Sequence, residues 1–257
     1  MLNFCILNQF IHYQFYLDFS VMGRIFEKRK HVMFARFKKM SKAFNRIGKD
    51  IEIAVKAGGV DPKANSHLRI AIQNAKSVNM PKDRIDAAIK RASNKDTSGY
   101  FEIIYEGYAP HGIAVVVECA TDNQTRTVSN VRHHFKEYGG SLGNPGSIAF
   151  MFERKGLFKI PIEKIKDVDE FELEMIDHGL DDLTGDEKFL YVYTSFHGFG
   201  AMQKALEERA IEPASTELQY IPTTTKELSA EQAKEVTELI DAMEEDDDVQ
   251  NVYHNMG

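Results

Sequence analysis

The stretch FEIIYEGYAPHGIAVVVECA, residues 101–120, decides the fold, because the sequence changes there from helical to strand periodicity. Residues 101–105 read as one strand and residues 112–120 as a second, whose unbroken apolar run is typical of a buried strand. Apolar residues before this stretch recur at helical spacing, whereas strands and helices alternate after it. The chain is therefore predicted to belong to the α+β class.

After residue 120 the predicted elements alternate. We expect helices over 125–138, 162–178, 198–210 and from Ser229 to about 244, and strands over 147–152, 156–160, 188–195, 215–221 and 249–253. Strand–helix–strand repeats of this size, joined by hairpins, are typical of ferredoxin-like units. Two such α/β units fit after residue 99, and the second is predicted to be inserted into the first, with the chain returning near Pro222.

Three helices are predicted in the first part of the sequence. Within residues 31–57 the apolar residues recur every three or four positions, and a pair of glycines ends this helix. A second helix is expected to begin after Asn65 or Ser66, and Pro81 is expected to open a third. Together they predict a small N-terminal three-helix domain.

These patterns give predicted limits for the parts of the chain. Residues 1–21 are expected to be a disordered extension or to precede the true start, 22–98 to be a basic helical domain, 99–155 plus 222–257 an α/β domain II, and 156–221 an α/β domain III. A signal peptide is disfavoured, because the first basic residue is Arg24 and polar residues interrupt every apolar run before it. The sequence has no run of the roughly 20 apolar residues that a membrane span requires.

Charge is distributed unevenly along the chain. Residues 22–95 contain 19 Lys and Arg against 6 Asp and Glu, whereas residues 96–257 contain 13 Lys and Arg against 32 Asp and Glu. A cationic segment gains free energy on a polyanion by releasing the counterions condensed on phosphate. The division therefore predicts nucleic-acid contact through the helical domain, and it predicts that the acidic domains stay off nucleic acid.

Ten cations on the predicted helices are the candidates for nucleic-acid binding: Arg36, Lys38, Lys39, Lys42, Arg46, Lys49, Lys82, Arg84, Lys90 and Arg91. Carboxylates are nearly absent between Glu27 and Asp50, so the first helix lacks the acidic i,i+4 partners of an ordinary solvated face. Two alternatives stay open for these cations: a generic solvated face, or a surface for an acidic protein or a membrane. Phosphate contacts position a protein and carry little sequence information.

No catalytic, metal or cofactor site is predicted. His133 and His134 are adjacent and point to different faces of their helix, so they cannot share a metal. The Gly-rich segment 139–146 departs from the phosphate-loop pattern and reads as a turn. The acidic run 244–248 reads as a solvated helix end. We therefore expect a protein that is not an enzyme and needs no cofactor.

One carboxylate cluster could hold Mg²⁺, although such clusters are more often solvated faces; its members are Glu172, Glu174, Asp177, Asp181 and Asp182. The two cysteines, Cys5 and Cys119, lie far apart and neither belongs to a C-x-x-C motif. No disulfide framework or zinc ribbon is predicted from them.

Several motifs resemble those of one known family. They are Lys56-Ala57-Gly58-Gly59-Val60-Asp61-Pro62, Asn79-Met80-Pro81-Lys82-Asp83, Tyr105-Glu106-Gly107-Tyr108, Thr121-Asp122-Asn123, Arg126-Thr127-Val128, Gly139-Gly140-Ser141-Leu142-Gly143 and Asp247-Asp248-Val249-Gln250-Asn251-Val252-Tyr253-His254-Asn255. Through them the chain resembles the YebC-type probable transcriptional regulatory proteins, whose mitochondrial relative is a translational activator of a cytochrome oxidase subunit. The resemblance extends from about residue 40 to the C-terminus.

The resemblance implies a basic helical domain followed by two α/β domains, the third inserted into the second. It implies a cytoplasmic, cofactor-free protein that binds DNA and regulates transcription, and members are also linked to the ribosome and translation elongation. Two positions depart from the family pattern. The segment Met22-Gly23-Arg24 and its continuation replace a His-Ser-Lys-Trp opening, and Ser66-His67 stands where Pro-Arg is usual.

We therefore predict a non-enzymatic, DNA-binding regulator of transcription that has no membrane partner. Phosphate-directed helices suit DNA and ribosomal RNA alike, so a ribosome- or RNA-associated translation factor stays open as an alternative. A third possibility is that the α/β units sense a small molecule or dock a protein partner through their acidic surface.

Overall fold

The computed structural model describes residues 37–94 and 99–257. The chain divides into two compact units, Met1–Ala43 and Phe44–Gly257. In the first unit, residues 37–43 are helical. The predictions for residues 1–21 and for Arg36 lie outside the described residues.

The described elements follow one another in the order expected of an α+β chain. The helices are α1 (37–58), α2 (Ser66–Ser77), α3 (Lys82–Ser93), α4 (Gln124–Glu137), α5 (Val168–Ile176), α6 (Phe199–Glu208) and α7 (Ala230–Glu245). The strands are β1 (Phe101–Ala109), β2 (Ile113–Thr121), β3 (Ser141–Leu142), β4 (Phe152–Pro161), β5 (Leu180–Gly185), β6 (Phe189–Ser195), β7 (Ser215–Pro222) and β8 (Val249–His254).

In the second unit, one apolar core holds the three N-terminal helices together. Ile51, Leu68 and Ala88, one from each helix, are fully buried in it. The side-chain oxygen of Asn65 accepts the backbone N–H of Leu68 at 3.0 Å, and its Nδ2 donates to the carbonyl of Ala54 at 2.7 Å. Asn65 therefore caps α2 and also ties it to α1, which confirms the predicted start of this helix.

The first sheet has the strand order β3-β1-β2-β8, and all neighbouring strands are antiparallel. Val115 and Val117 of β2 face α4 and α7, where they join a core with Phe135 and Leu239. Val116 faces the opposite side and packs in a second apolar cluster. Because β2 is central and covered on both faces, its sequence is an unbroken apolar run instead of an alternating one.

The second sheet has the strand order β5-β6-β4-β7 and is also antiparallel. Helices α5 and α6 cover it, and Met175 and Met202 from these helices pack on Phe158 and Val192. All four strands fall between β3 and α7 in the sequence, so the second sheet is inserted into the chain of the first. The predicted fold class is confirmed, while the exact domain limits stay predictions.

The strand predicted over 147–152 is wrong. Residues Ala149–Met151 form a 3-10 turn, and β4 begins only at Phe152. The backbone N–H groups of Ile148 and Ala149 donate to the carboxylate of Glu106, which removes them from any strand ladder. Strands β3 and β5 are absent from the sequence-based prediction, because β3 has only two residues and β5 is mostly polar and exposed.

The acidic helix predicted over 162–178 is shorter than expected. A 3-10 turn occupies Ile162–Lys164, and α5 begins after Asp167, whose side chain accepts the backbone N–H groups of Asp169 and Glu170. Among residues 37–94 and 99–257, no helix is long and apolar enough to cross a membrane.

Candidate nucleic-acid interface

The first group of predicted phosphate-binding cations lies in residues 37–43 of the first unit. Lys38 and Lys39 are exposed, and Lys42 is half-buried. No carboxylate occurs within these seven residues. Three ammonium groups within five consecutive helical positions make a dense cationic segment, which phosphate neutralises more effectively than water or dilute salt does.

The second group lies on α3 in the second unit. Lys82, Arg84, Lys90 and Arg91 are all exposed, and Lys90 and Arg91 occupy the last turn, where cations complement the helix dipole. The Arg84 guanidinium lies 5.6 Å from the centre of the Phe44 ring, which orients it along the surface. This helix also carries two carboxylates, so its cationic character is weaker than that of residues 37–43.

Arg46, Arg91 and Lys49 are among the predicted cations that also bind other parts of the protein. Arg46 Nη2 donates to the carbonyl of Glu244 at 3.0 Å, and Arg91 Nη2 lies 2.8 Å from Glu52 Oε1. Lys49 Nζ donates to the carbonyls of Ala120 and Asp247 at 2.8 and 2.6 Å and to Asp248 Oδ1 at 3.3 Å. Lys49 thus uses its three donors inside the fold. That these side chains also contact phosphate stays a prediction.

Lys49 belongs to a buried network around Asp248. The second carboxylate oxygen of Asp248 accepts from Arg126 Nη2 at 2.8 Å, from Thr127 Oγ1 at 2.9 Å and from Thr121 Oγ1 at 3.2 Å. Burial raises the pKa of Asp248, but the hydrogen bonds from Arg126 and Thr127 and the charge of Lys49 outweigh burial and hold the pKa below its usual value. Asp248 is therefore a structural anion.

The interpretation of residues 244–248 as a solvated helix end is wrong for Asp248. Helix α7 ends at Glu245, and the short segment between α7 and β8 brings Asp248 to Lys49 of α1 and Arg126 of α4. Asp248 is only 5% exposed, whereas Glu244, Glu245 and Asp247 are exposed. A run of acidic residues in the sequence does not indicate which of them the fold will bury.

The Gly-rich segment 139–146 forms turns around β3, and Glu106 binds backbone amides at its end and just after it. The carboxylate of Glu106 accepts the N–H groups of Gly146, Ile148 and Ala149 at 2.7, 2.6 and 3.0 Å. An internal carboxylate thus occupies one backbone amide of this segment and two that follow it. Glu106 is 7% exposed, which makes this interaction part of the protein interior.

The predicted carboxylate cluster and the buried cysteine are the remaining candidate residues. Within the described parts of the chain, no group of three or more His, Cys, Asp or Glu side chains could hold a metal ion. In the predicted carboxylate cluster, Glu174 pairs with Arg209 at 2.9 Å and Asp181 pairs with Lys155 at 3.2 Å. Burial raises the pKa of the Cys119 thiol to about 12, which suppresses the nucleophilic thiolate.

Comparison with known proteins accounts for both parts of the fold. A family model described as the TACO1/YebC protein N-terminal domain matches residues 24–95, and another described as the TACO1/YebC second and third domain matches residues 100–256. The chain belongs to the TACO1/YebC family. The resemblance inferred from the sequence motifs is thereby confirmed.

Several TACO1/YebC relatives share about half of their residues with this chain. A probable transcriptional regulatory protein of Anaeromyxobacter dehalogenans is 55% identical over 240 residues, which is 91% of this chain and all of the relative. A protein of the same name from Myxococcus xanthus is 52% identical with the same coverage. A crystal structure of a conserved hypothetical protein from Aquifex aeolicus is 36% identical, covers 84% of this chain and 90% of its own, and has a TM-score of 0.75.

The residues of the Asp248 network are the main feature that the sequence analysis does not anticipate. The signal was present in two motifs used for the family resemblance, Thr121-Asp122-Asn123 and Arg126-Thr127-Val128. Asn123 caps α4 by accepting the backbone N–H of Arg126, which brings both motifs to one end of that helix. In this TACO1/YebC chain, these motifs hold an internal carboxylate.

Proposed function

We propose that the chain is a non-enzymatic regulator of gene expression in the cytoplasm that binds the phosphate backbone of DNA through its basic helices. The observation that carries the proposal is the cationic segment at residues 37–43, which has three lysines within five helical positions. Its relatives from Anaeromyxobacter and Myxococcus, which share at least 52% of their residues with it, are named probable transcriptional regulatory proteins. The name of these relatives supports regulation as the function, and the cations could bind phosphate.

The cations proposed for nucleic-acid binding fall into two groups. Lys38, Lys39 and Lys42 form one contributing group, and Lys82, Arg84 and Lys90 on α3 form another. Arg36 extends the first group in sequence. Arg46, Lys49 and Arg91 also bind internal carbonyls and carboxylates.

The acidic part of the chain supports a role for these domains other than nucleic-acid binding. Residues 96–257 carry 32 Asp and Glu against 13 Lys and Arg, so a polyanion is repelled by this part of the protein. We propose that these domains leave nucleic-acid binding to the helices and present an acidic surface to a protein partner. No nucleophile paired with a base supports catalysis in the described residues.

The salt dependence of DNA binding tests the proposal. With about five phosphate contacts, log K should fall against log salt with a slope of about −4 to −5. Changing Lys38, Lys39 and Lys42 to Gln should reduce that slope by about 2 to 3, and changing Lys82, Arg84 and Lys90 to Gln should reduce it by a similar or smaller amount. Fluorescence anisotropy with duplex DNA at several salt concentrations measures each slope.

A matched control changes three exposed lysines elsewhere, Lys136, Lys204 and Lys234, to Gln. These lie on α4, α6 and α7, and the control should leave the slope unchanged. If the two helix variants and this control all gave the same slope, the number of charges alone would explain binding. That result would contradict the proposed interface.

Phosphate contacts do not distinguish DNA from RNA, and the same helices could serve translation. Cross-linking in cells followed by sequencing of the bound nucleic acid decides between them. Promoter DNA would support transcriptional regulation. Ribosomal RNA would replace DNA as the target and would make the chain a translation factor.

A further inference from the structure

Helix α5 exposes two large apolar side chains on the side away from its own core. Phe171 and Met175, one helical turn apart, pack into the core beneath the second sheet. Leu173 and Ile176 are 70% and 56% exposed, and they are three positions apart, so they are neighbours on the outer face of the helix. One exposed apolar residue is ordinary, but two adjacent ones form a patch that a partner can cover.

Carboxylates border this apolar pair. Asp169, Glu170 and Asp177 lie three or four positions from Leu173, which places them beside it on the helix surface, and all three are exposed. Residues 167–187 contain ten Asp and Glu and no Lys or Arg. The apolar pair and these three carboxylates together form the α5 patch.

The charges of α5 are unfavourable for the helix itself. Glu170 and Glu174 are like charges four positions apart, and the last turn has no basic residue and is followed by Asp177, where the helix dipole favours a cation. Arg209 pairs with Glu174 at 2.9 Å and offsets part of the repulsion. Cations of a partner lying over the outer face would relieve the rest, so the electrostatics of the helix independently favour a positive ligand.

The chemistry of the partner follows from the arrangement of the patch. An apolar centre with an acidic border complements a helix that has apolar residues on one face and lysines or arginines beside them. Helix α5 of a second copy lacks this chemistry, because its carboxylates would face those of the first, and nucleic acid is repelled for the same reason. Since α5 has nine residues, it faces about two and a half turns of a partner helix.

We propose that the α5 patch is the docking site for a basic amphipathic helix of a partner protein. Leu173 and Ile176 contact the apolar face of that helix, and Asp169, Glu170 and Asp177 pair with the cations beside it. This proposal rests on the docking role proposed above for the acidic domains, and it adds the surface and the chemistry of the partner. The patch is small, so the contact is a weak and reversible one.

Fluorescence anisotropy with a labelled peptide tests the patch on the full chain. The probe is an amphipathic helical peptide of about 14 residues made of Leu and Lys, and its control has the same composition in an order without an apolar face. We expect saturable binding at one site per chain, about tenfold tighter than for the control peptide. Leu173→Gln should weaken binding about tenfold, whereas Val60→Gln, which changes an apolar side chain that is 52% exposed after α1, should not.

A second set of variants tests the carboxylates. The triple variant Asp169→Asn, Glu170→Gln and Asp177→Asn should weaken the peptide about fivefold at low salt and much less at high salt, because exposed ion pairs are screened. The matched control neutralises three exposed acids of α7 and should leave the affinity unchanged; it combines Glu231→Gln, Glu238→Gln and Asp241→Asn. Circular dichroism establishes that each variant is folded.

Equal affinity for the two peptides, or equal losses in the α5 and α7 variants, would overturn the proposal. A dimer of the free chain that Leu173→Gln dissociates in sedimentation velocity would also overturn it, because the occupant would then be a second copy. DNA binding of the same variants keeps this proposal separate from the nucleic-acid interface. Loss of peptide binding with unchanged DNA binding by the full chain would contradict the docking site alone, and the reverse result would contradict DNA binding alone.

Discussion

The fold shifts the pKa values of two aspartates, Asp50 and Asp248, in opposite directions. Around Asp50, burial raises the pKa to about 7, with a further contribution from the negative charges of Glu102 and Glu118. Around Asp248, hydrogen bonds from Arg126 and Thr127 more than offset burial, and the pKa lies below its usual value. Asp248 is therefore fixed as a carboxylate, whereas Asp50 changes its charge near neutral pH.

The raised pKa predicts how Asp50 affects stability. Its folded-state pKa of about 7 exceeds the ordinary 3.8, so Asp50 contributes stability at low pH, and this contribution is lost as the pH rises through 7. The Asp50→Asn variant should therefore gain stability over the unchanged protein as the pH rises from 4 to 8. Because water reaches Asp50, screening limits the expected gain at pH 8 to about 1 kcal/mol.

Urea denaturation at pH 4, 6 and 8 measures this difference. Glu187→Gln, which removes an exposed carboxylate from the turn between β5 and β6, is the matched control, and its stability should stay within about 0.5 kcal/mol of the unchanged protein throughout. A constant difference for Asp50→Asn as well would show that Asp50 titrates in the folded protein as it does in the unfolded chain.

At the scale of elements, the link between β1 and the Gly-rich turn depends on a single carboxylate. Glu106 accepts three backbone N–H groups from the segment that precedes β4, and it thereby positions the chain between the two sheets. The nearby Gly107 is equally constrained, because a Cβ there would lie 2.5 Å from the Phe135 ring and 2.7 Å from the carbonyl oxygen of Ser141. Packing on α4 thus leaves no space for a side chain at that position.

Replacing Glu106 should destabilise the protein according to how many acceptors are lost. Glu106→Ala removes the acceptor for all three N–H groups and should lower the free energy of unfolding by about 2 to 3 kcal/mol. Glu106→Gln keeps one carbonyl oxygen and should cost about 1 kcal/mol. Urea denaturation measures both, and similar losses for the two variants would mean that volume rather than hydrogen bonding explains the effect.

Elements whose ends depend on neighbouring residues were predictable. Asn65 and Ser229 begin α2 and α7, as the sequence pattern predicts, because a cap accepts from an N–H only a few positions ahead. The strand expected at 147–152 failed because its amides bind Glu106, about 40 residues away. Similarly, Lys49 has the sequence context of a solvated cation, but its contacts with Asp248 depend on the whole fold. Local patterns do not contain such information.

At the scale of the whole molecule, Asp248 joins elements that are distant in sequence. It contacts Lys49 of α1, Thr121 at the end of β2 and Arg126 of α4. Lys49 and Asp248 are both largely buried, with side-chain exposures of 12% and 7%. Loss of one buried partner leaves the other charge uncompensated, which costs more than the pair itself contributes.

We expect Asp248→Asn to lower the free energy of unfolding by about 3 kcal/mol and to loosen the helices before the second sheet. Hydrogen exchange followed by mass spectrometry should show faster exchange in α1 to α3, with little change in β4 to β7. The adjacent Asp247→Asn is the matched control, because Asp247 is exposed, and it should behave like the unchanged protein. Uniformly faster exchange would mean that the network supports the whole fold equally.

The strands of the second sheet lie between β3 and β8 along the chain, and this arrangement sets an order for folding during synthesis. Strands β4 to β7 are made as one continuous segment, so they can pair as soon as that segment has left the ribosome. Strand β2 must wait for β8, which is translated only after the entire second sheet and α7. Until then one edge of β2 is unprotected, and that edge is the place where a growing chain risks pairing with the wrong strand.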